Sequence, residues 1–237
     1  LRAFRALDAR DYEKCVDIAK EFVNELYDKK SLAINIIDIK NINSYTINHS
    51  INVCVNSIIL GIAAGMNRND LEHLAVAAIL ADVGKFDISN EIWHKKGKLT
   101  DKEMEMVKQH PKIAFENLKA HPCISPISRN AILFSHENLD GSGYYGKVGD
   151  EIRINARIIH LMDSFDALTS VRKHRQAYSI KESTELLMGS TNQYDNDLLR
   201  LMSQLFPIYP IGMTVNLSNG EKAIIRSNDH NVIRPII

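Results

Sequence analysis

The spacing of the apolar residues constrains the fold of this chain more than any other feature. From residue 11 to about residue 206, apolar side chains recur mainly three and four positions apart, the period of an amphipathic α-helix. One such stripe ends at Gly65, a residue suited to the left-handed backbone that often closes a helix. That stripe comprises Ile47, Ile51, Val55, Ile58 and Ile62. The pattern predicts an all-α body.

Capping signals mark where two of these helices begin. Asn69, followed three residues later by Glu72, predicts the start of a helix that runs through LEHLAVAAILA. Thr100 and Glu103 form a clearer capping box before the segment KEMEMVKQH. We therefore expect helix starts at both places.

The period changes near the C-terminus. Alternating residues in MTVNLSNGEKAIIRS flank Asn219-Gly220, which predicts two strands joined by a two-residue turn. We expect residues 207–237 to form a small β appendage, joined to the helices through the segment PIYP.

Composition limits the class of protein. With 237 residues and 45% hydrophobic content, the chain can bury a core of its own. Lys plus Arg and Asp plus Glu both total 29, which argues against a nucleic-acid polymer as partner but leaves room for a small anion. The longest apolar stretches fall short of the ~20 residues that span a bilayer, and LRAFRALDAR lacks a signal peptide's apolar core. We expect a cytoplasmic location and no membrane segment in this stretch.

The cysteines indicate a reducing compartment. Cys15, Cys54 and Cys123 are odd in number, far apart in sequence and never in a CxxC pair. This distribution argues against a disulfide framework or a zinc knuckle. We expect reduced, mostly buried thiols.

Five potential metal-binding side chains recur at intervals of 33, 28, 26 and 27 residues. They are His49, Asp82, His110, His136 and Asp163. Each interval suits one helix and its connection, so helix ends could bring these side chains to one cavity. Imidazole and carboxylate suit iron, manganese or zinc, and a bridging carboxylate can hold two ions a few Å apart. Such a pair activates water and neutralises a phosphate.

Each of these residues also has an ordinary structural explanation. A single histidine beside an apolar stripe is more often hydrogen-bonded structure than a ligand, and we expect that role for the remaining histidines. They are His73, His94, His121, His160, His174 and His230. Asp82 could be a solvated helix end, with Lys85 favoured there by the helix dipole. Asp163 and Asp166 lie three apart and share one helix face.

Two familiar catalytic motifs are absent. Gly84-Lys85 lacks the first glycine of a phosphate-binding loop and is followed by Phe86, where a hydroxyl residue is required. There is no G-x-S-x-G elbow for a serine hydrolase. The stretch DGSGYYG could form an ordinary turn, or it could bring Tyr144 or Tyr145 to the face of a planar ligand.

Taken in order, these segments resemble the HD-GYP family, bacterial phosphodiesterases of the HD superfamily that hydrolyse cyclic di-GMP. The resemblance runs from about Tyr45 to Phe206. The corresponding segments are His49-Ser50, ADVGK at 81–85, His110-Pro111, SHENLDGSGYY at 135–145 and MDSFDALTSVRKHR at 162–175. The ordered set is far more specific than any one motif.

The resemblance implies an HD-superfamily helical bundle over residues 41–206. N-terminal helices or a linker would occupy residues 1–40, and the β extension residues 207–237. It implies that the five spaced donors bind one or two divalent ions, iron or manganese, with Asp82 bridging them. It also implies an input domain upstream of this stretch.

For the substrate, the resemblance implies a contact between Lys85 and the scissile phosphate, so Asp82 and Lys85 would be catalytic. Arg172 and Arg175 would hold the phosphates and guanines of the cyclic dinucleotide, and Tyr144 matches the tyrosine of the GYP motif.

Several residues depart from the family pattern. Ala81 replaces the first histidine of the HD motif, Ser135 the first of the double histidine, and Tyr145 the final proline of GYP. The glutamate that adds a third metal in some members would fall at Tyr45. Alanine has no donor atom and serine is a poor substitute for imidazole. The metal sets that remain are His49, Asp82 and Asp163, and Asp82, His110 and His136.

Three functions follow from this pattern. The leading interpretation is a domain that recognises a cyclic dinucleotide, with cyclic di-GMP as the expected ligand, and hydrolyses it slowly or not at all. The first alternative is an active two-metal phosphodiesterase that releases a linear product. The second is an adaptor that binds neither metal nor nucleotide and contacts a signalling protein such as a diguanylate cyclase domain.

Overall fold

The structure is a computed structural model that describes residues 9–27, 45–93, 95, 97–171, 176–190, 192–206, 208–209, 211–227 and 235–237. Its helices are α1 (Ala9–Tyr27), α2 (Tyr45–Ala63), α3 (Arg68–Leu80), α4 (Asn90–Trp93), α5 (Asp101–Val107), α6 (His110–Leu118), α7 (Pro126–Leu133), α8 (Ile154–Thr169), α9 (Ile180–Met188) and α10 (Asn196–Leu205). Two short 3-10 helices span Val83–Asp87 and Gly149–Glu151, and two strands, β1 (Thr214–Asn216) and β2 (Lys222–Ile224), follow the helices. The predicted all-α class with a small C-terminal β element is confirmed.

Helix α3 forms the centre of the bundle. It contacts α1, α2, α7 and α8, so neighbouring helices cover several of its faces. Seven of its residues are buried, as expected for a helix that is apolar nearly all round. They are Leu71, Leu74, Ala75, Val76, Ala77, Ala78 and Leu80. Because Asp82 follows directly, its carboxylate is delivered from the middle of the core.

The predicted helix boundaries are partly right. Thr100 and Glu103 form the expected capping box of α5: the Glu103 backbone N–H donates to the Thr100 hydroxyl (3.3 Å), and the Thr100 backbone N–H donates to the Glu103 carboxylate (2.7 Å). The predicted cap of α3 is wrong, because Asn67 rather than Asn69 takes the extended backbone and accepts from the Asp70 N–H at 3.0 Å. Gly65 does follow the end of α2, with φ of 78°.

The hairpin is present, but its turn is longer than predicted. The Leu217 N–H donates to the Glu221 carbonyl (2.8 Å) and encloses a three-residue loop. Asn219 accepts from the Glu221 N–H through its side chain (3.0 Å), and Gly220 has φ of 87°. A glycine in the left-handed region ends the common three-residue hairpin loop, so the same residues suit both turns.

The cysteines are free, but only one of them is buried. The Cys54 thiol donates to the Ala75 carbonyl at 3.4 Å, and burial raises the pKa of Cys54 to about 12. Cys15 is half-buried. Cys123 is exposed, so the expectation of mostly buried thiols is wrong there; it lies in the connection between α6 and α7. None of the helices in the described ranges is both long and apolar enough to cross a membrane.

Candidate metal centre

Asp82 and Lys85 lie together because the chain changes helix type between them. Helix α3 ends at Leu80, and the next turn is the 3-10 helix Val83–Asp87. Residues three apart eclipse one another in that geometry, so Lys85 lies over Asp82. The Lys85 ammonium donates to Asp82 Oδ2 at 2.5 Å, and side-chain exposure is only 14% for Lys85 and 10% for Asp82. The pair is a buried ion pair rather than a solvated helix end.

Gly84 allows this turn to pack against the start of α6. A Cβ at Gly84 would lie 2.0 Å from the His110 carbonyl oxygen and 2.8 Å from the Ala114 nitrogen. A side chain of any size would therefore push the two backbones apart. The close approach brings His110 Nε2 to 3.7 Å from Asp82 Oδ1.

His110 and His136 complete a three-residue cluster with Asp82. The three side chains each offer a ligand atom, and these atoms lie within 4.8 Å of one another. His110 Nδ1 donates to the Val107 carbonyl (2.8 Å), so its Nε2 carries the lone pair and accepts from His136 Nε2 at 3.0 Å. A backbone carbonyl that fixes the tautomer in this way is typical of metal-binding histidines.

Burial keeps both of these imidazoles neutral. It lowers the pKa of His110 to about 3, with help from His136 and Lys85, and lowers that of His136 to about 4. Asp82 is ionised, because Lys85 and His49 outweigh the effect of burial and lower its pKa. Two neutral imidazoles and a carboxylate are suitable ligands for a divalent transition metal.

His49 lies near the Asp82 carboxylate as well, and it contacts Asp163. His49 Nε2 donates to Asp163 Oδ1 at 2.9 Å and lies 3.5 Å from Asp82 Oδ2. Its Nδ1 donates to Asp166 Oδ2 at 2.6 Å. Burial alone would lower the pKa of His49, but the hydrogen bonds to Asp163 and Asp166 outweigh it and raise the pKa to about 10. The ring is therefore an imidazolium that donates to two carboxylates.

Asp166 is a further carboxylate next to the candidate metal-binding residues, and the sequence did not indicate this position. It is 3% exposed and accepts from Asn52 Nδ2 at 2.9 Å as well as from His49. The signal was present, since Asp163 and Asp166 share one face of α8. The sequence does not show that Asp166 accepts a hydrogen bond from His49 on α2.

The glycine-rich stretch forms an ordered loop around Glu137. This carboxylate is buried and accepts from the backbone N–H groups of Tyr145 and Lys147, both at 2.7 Å. A Cβ at Gly143 would lie 2.5 Å from Glu137 Cα, so only glycine fits there. Glu137 gains these contacts only when the loop folds back over it, which the sequence does not show.

The loop places Tyr144 against the cluster. Its ring stacks on His136, with 4.9 Å between centroids and 21° between planes. Burial, with Asp163 and Asp82 nearby, raises the pKa of Tyr144 to about 12, so the phenol is neutral at physiological pH. Tyr145 makes a different contact, because its hydroxyl donates to the Lys108 carbonyl (3.1 Å).

The two replaced family positions offer nothing to the cluster. Ala81 is 8% exposed and packs within the hydrophobic core. The Ser135 hydroxyl is buried and donates to the Ile132 carbonyl at 2.9 Å. Arg172 and Arg175 lie outside the described residues, as does the side chain of Tyr45.

Three of the remaining histidines have structural contacts. His73 lies 3.1 Å from the Ser125 hydroxyl, and His160 Nε2 donates to Asn138 Oδ1 at 2.8 Å. His121 packs on the ring of Tyr12, 4.3 Å between centroids. The other three, His94, His174 and His230, lie outside the described residues.

Comparison with known proteins matches residues 31–198 of the chain to a family described as the HD domain. The chain belongs to the HD domain family. The predicted membership of the HD superfamily, as a domain of the cyclic di-GMP phosphodiesterase type, is confirmed. The matched region contains all five spaced donors and the glycine-rich loop.

Curated members of this group differ in their named substrates. A cyclic di-GMP phosphodiesterase of Pseudomonas aeruginosa is 27% identical over 227 residues, covering 94% of this chain and 54% of that protein. A 3′3′-cGAMP-specific phosphodiesterase of Vibrio cholerae is 35% identical over 153 residues, covering 64% of this chain and 33% of that protein. The chain thus spans about half the length of the first relative and a third of the second.

One solved structure supports the fold. Bd1817, described as an HDG"Y"P protein from Bdellovibrio bacteriovorus, aligns with a TM-score of 0.69 over 84% of this chain and 64% of that chain. Sequence identity is 16%, so the likeness concerns the helical architecture alone.

Proposed function

We propose that this domain binds a cyclic dinucleotide at the cluster around Asp82, with cyclic di-GMP as the expected ligand, and hydrolyses it slowly or not at all. The observation that supports this is the convergence of Asp82, His110 and His136 next to the Lys85 ammonium. Phosphodiesters are anions, and a buried lysine beside a metal-binding set is suited to hold one. The named activities of the relatives point to the same ligand class.

A divalent ion, iron or manganese, would be held by Asp82, His110 and His136. The donor chemistry fits, because both imidazoles are neutral and the tautomer of His110 is fixed by Val107. Three protein ligands are enough for an open catalytic-type site. When bound, such an ion would neutralise phosphate charge and make bound water a better nucleophile at neutral pH.

Impaired hydrolysis follows from the other half of the site. A second ion would depend on His49, Asp82 and Asp163, and His49 Nε2 already donates a proton to Asp163. An ion there would have to replace the hydrogen bond between His49 Nε2 and Asp163 Oδ1. Neither Ala81 nor Ser135 supplies a replacement donor. We therefore propose one firm metal position and one weak one.

Different residues of this chain would contact different parts of the ligand. Lys85 would contact a phosphate, and its ammonium is already oriented by Asp82. Tyr144, stacked on His136, would line the pocket beside the metal position. We propose that Arg172 and Arg175 contact the phosphates and bases.

An active phosphodiesterase is the second candidate. It is favoured by the complete three-donor cluster, since Asp82 and the two histidines lie within reach of a single ion. Asp82 would then hold the ion, Lys85 would stabilise negative charge on the phosphate, and the product would be linear.

Isothermal titration with cyclic di-GMP and 3′3′-cGAMP, with and without Mn²⁺, tests the proposal, and chromatography of the same mixtures tests turnover. We expect saturable binding that Asp82→Asn abolishes and little linear product. The matched control is Asp87→Asn, an exposed carboxylate at the end of the 3-10 helix that follows Asp82, which accepts from Asn117 (2.8 Å). Turnover that Asp82→Asn removes would establish the second candidate. No heat from either ligand would reject both and favour the adaptor.

A further inference from the structure

Trp93 has an unusual position for the only tryptophan of the chain. It is the last residue of α4, a four-residue helix with no buried residue, and it is 40% exposed. A large aromatic side chain normally contributes most to a fold when it is buried. Trp93 is not part of the hydrophobic core. Its ring is therefore available for a contact outside the core.

Lys85 joins this ring to the metal centre. The Lys85 ammonium lies 5.2 Å from the centroid of the Trp93 ring and, at the same time, 2.5 Å from Asp82 Oδ2. That distance is within the range of a cation–π contact. Because Lys85 is largely buried beside Asp82, the contact places the partly exposed indole next to the end of the site that would bind phosphate.

We propose that Trp93 stacks on one base of the bound cyclic dinucleotide while the adjoining phosphate lies beside Lys85. The proposal rests on the proposed function and specifies how one base is held. A nucleotide carries its base next to its phosphate, so a base-binding ring is required close to the phosphate-binding group. Aromatic rings bind bases of any sequence, since every base has a π-face. Trp93 should therefore contribute similarly to cyclic di-GMP and to 3′3′-cGAMP.

A second aromatic ring lies at a different part of the same cluster. Tyr144 reaches it from the glycine-rich loop and stacks on His136, whereas Trp93 reaches it from α4 through Lys85. A cyclic dinucleotide has two bases and two phosphates. Of the two rings, Trp93 is the more exposed and the one next to a cation. This favours Trp93 as the stacking surface.

The single tryptophan makes the test direct, because all indole emission comes from position 93. The protein is titrated with cyclic di-GMP while emission and heat are followed on the same samples. We expect the emission to change along the same curve as the heat. Trp93→Leu should weaken binding roughly 5- to 150-fold, the effect of losing one stacked base. Trp93→Phe should recover most of the affinity, since the phenyl ring keeps an aromatic face.

Ile18→Ala is the matched control. Ile18 is an exposed aliphatic residue on α1, which supplies no residue to the cluster, and its variant should bind like the wild type. Thermal melts of each variant verify folding. Heat from the wild type without any change in emission, together with an unchanged affinity of Trp93→Leu, would overturn the stacking proposal and leave the proposed function standing. Equal losses in Trp93→Leu and Trp93→Phe would also overturn it. No heat from the wild type would reject the proposed function, and base stacking with it.

Discussion

Substituting Gly84 by alanine perturbs the packing that assembles the metal centre. The added Cβ would lie 2.0 Å from the His110 carbonyl oxygen and 2.8 Å from the Ala114 nitrogen, both of them backbone atoms of α6. Neither atom can move as a flexible side chain could. The 3-10 helix and the start of α6 must therefore separate, and Asp82 and His110 with them.

The size of the effect follows from two opposing contributions. Overpacking in a filled core costs about 1–3 kcal/mol, and a contact this short with a backbone atom lies at the upper end. The loss of glycine's freedom in the unfolded chain returns only about 0.4–1 kcal/mol. We expect a net loss of about 2 kcal/mol in the free energy of unfolding. For a chain of this length, this lowers Tm by roughly 4–8 °C.

Thermal and urea unfolding of Gly84→Ala measure this loss, and Gly189→Ala is the control. A Cβ at Gly189 would lie 3.4 Å from its nearest neighbours, the Glu185 and Leu186 carbonyls, and its φ of −69° suits alanine. That variant should melt within about 1 °C of the wild type or slightly above it. Equal stability of Gly84→Ala and Gly189→Ala, with equal metal affinity in the two variants, would contradict the close packing of Gly84 against α6.

Two further substitutions test contacts around the site and far from it. Asp166→Asn should lower the metal affinity of the position formed by His49, Asp82 and Asp163 roughly 10- to 100-fold, because one amide oxygen cannot accept from both His49 and Asn52 as the carboxylate does. An unchanged affinity of that position in a metal titration would contradict the role given to Asp166. Glu103→Gln tests pH dependence. Hydrogen bonds from Lys95 and from the Thr100 backbone and hydroxyl lower the pKa of Glu103 from 4.5 to about 2. The contribution of Glu103 to stability is therefore present above pH 4.5 and is lost as the pH falls towards 2. Urea unfolding should show a higher free energy of unfolding for the wild type than for the variant at pH 7, and this difference should shrink between pH 4.5 and 2.5. A difference that stays constant with pH would argue against the ion pair.

The parts of the site that sequence could predict are those set by spacing and local chemistry. Asp82 and Lys85 are three residues apart at the end of an apolar helix, and the structure joins them by a hydrogen bond. The intervals between His49, His110 and His136 suggested helix ends meeting at one place, and their side chains do lie around Asp82. The Asp82–Lys85 contact depends on short sequence separation, whereas the meeting of the histidines depends on intervals that each suit one helix and its connection.

The parts that sequence could not predict depend on contacts between distant segments. Glu137 looks like any acidic residue before a glycine-rich loop, and its role appears only when the Tyr145 and Lys147 N–H groups turn back onto it. Asp166 acquires its partner from a helix more than a hundred residues earlier in the chain. Trp93 is linked to the site only by its contact with Lys85, which forms when the chain folds. No periodicity or motif encodes these pairings.

The metal content of protein purified without oxygen tests the central claim most directly. Elemental analysis should find iron or manganese in the wild type and in Asp87→Asn, and should find neither in Asp82→Asn, since Asp82 contributes to both possible ligand sets. Wild-type protein without metal, or equal metal in wild type and Asp82→Asn, would contradict the claim that Asp82, His110 and His136 form a metal centre.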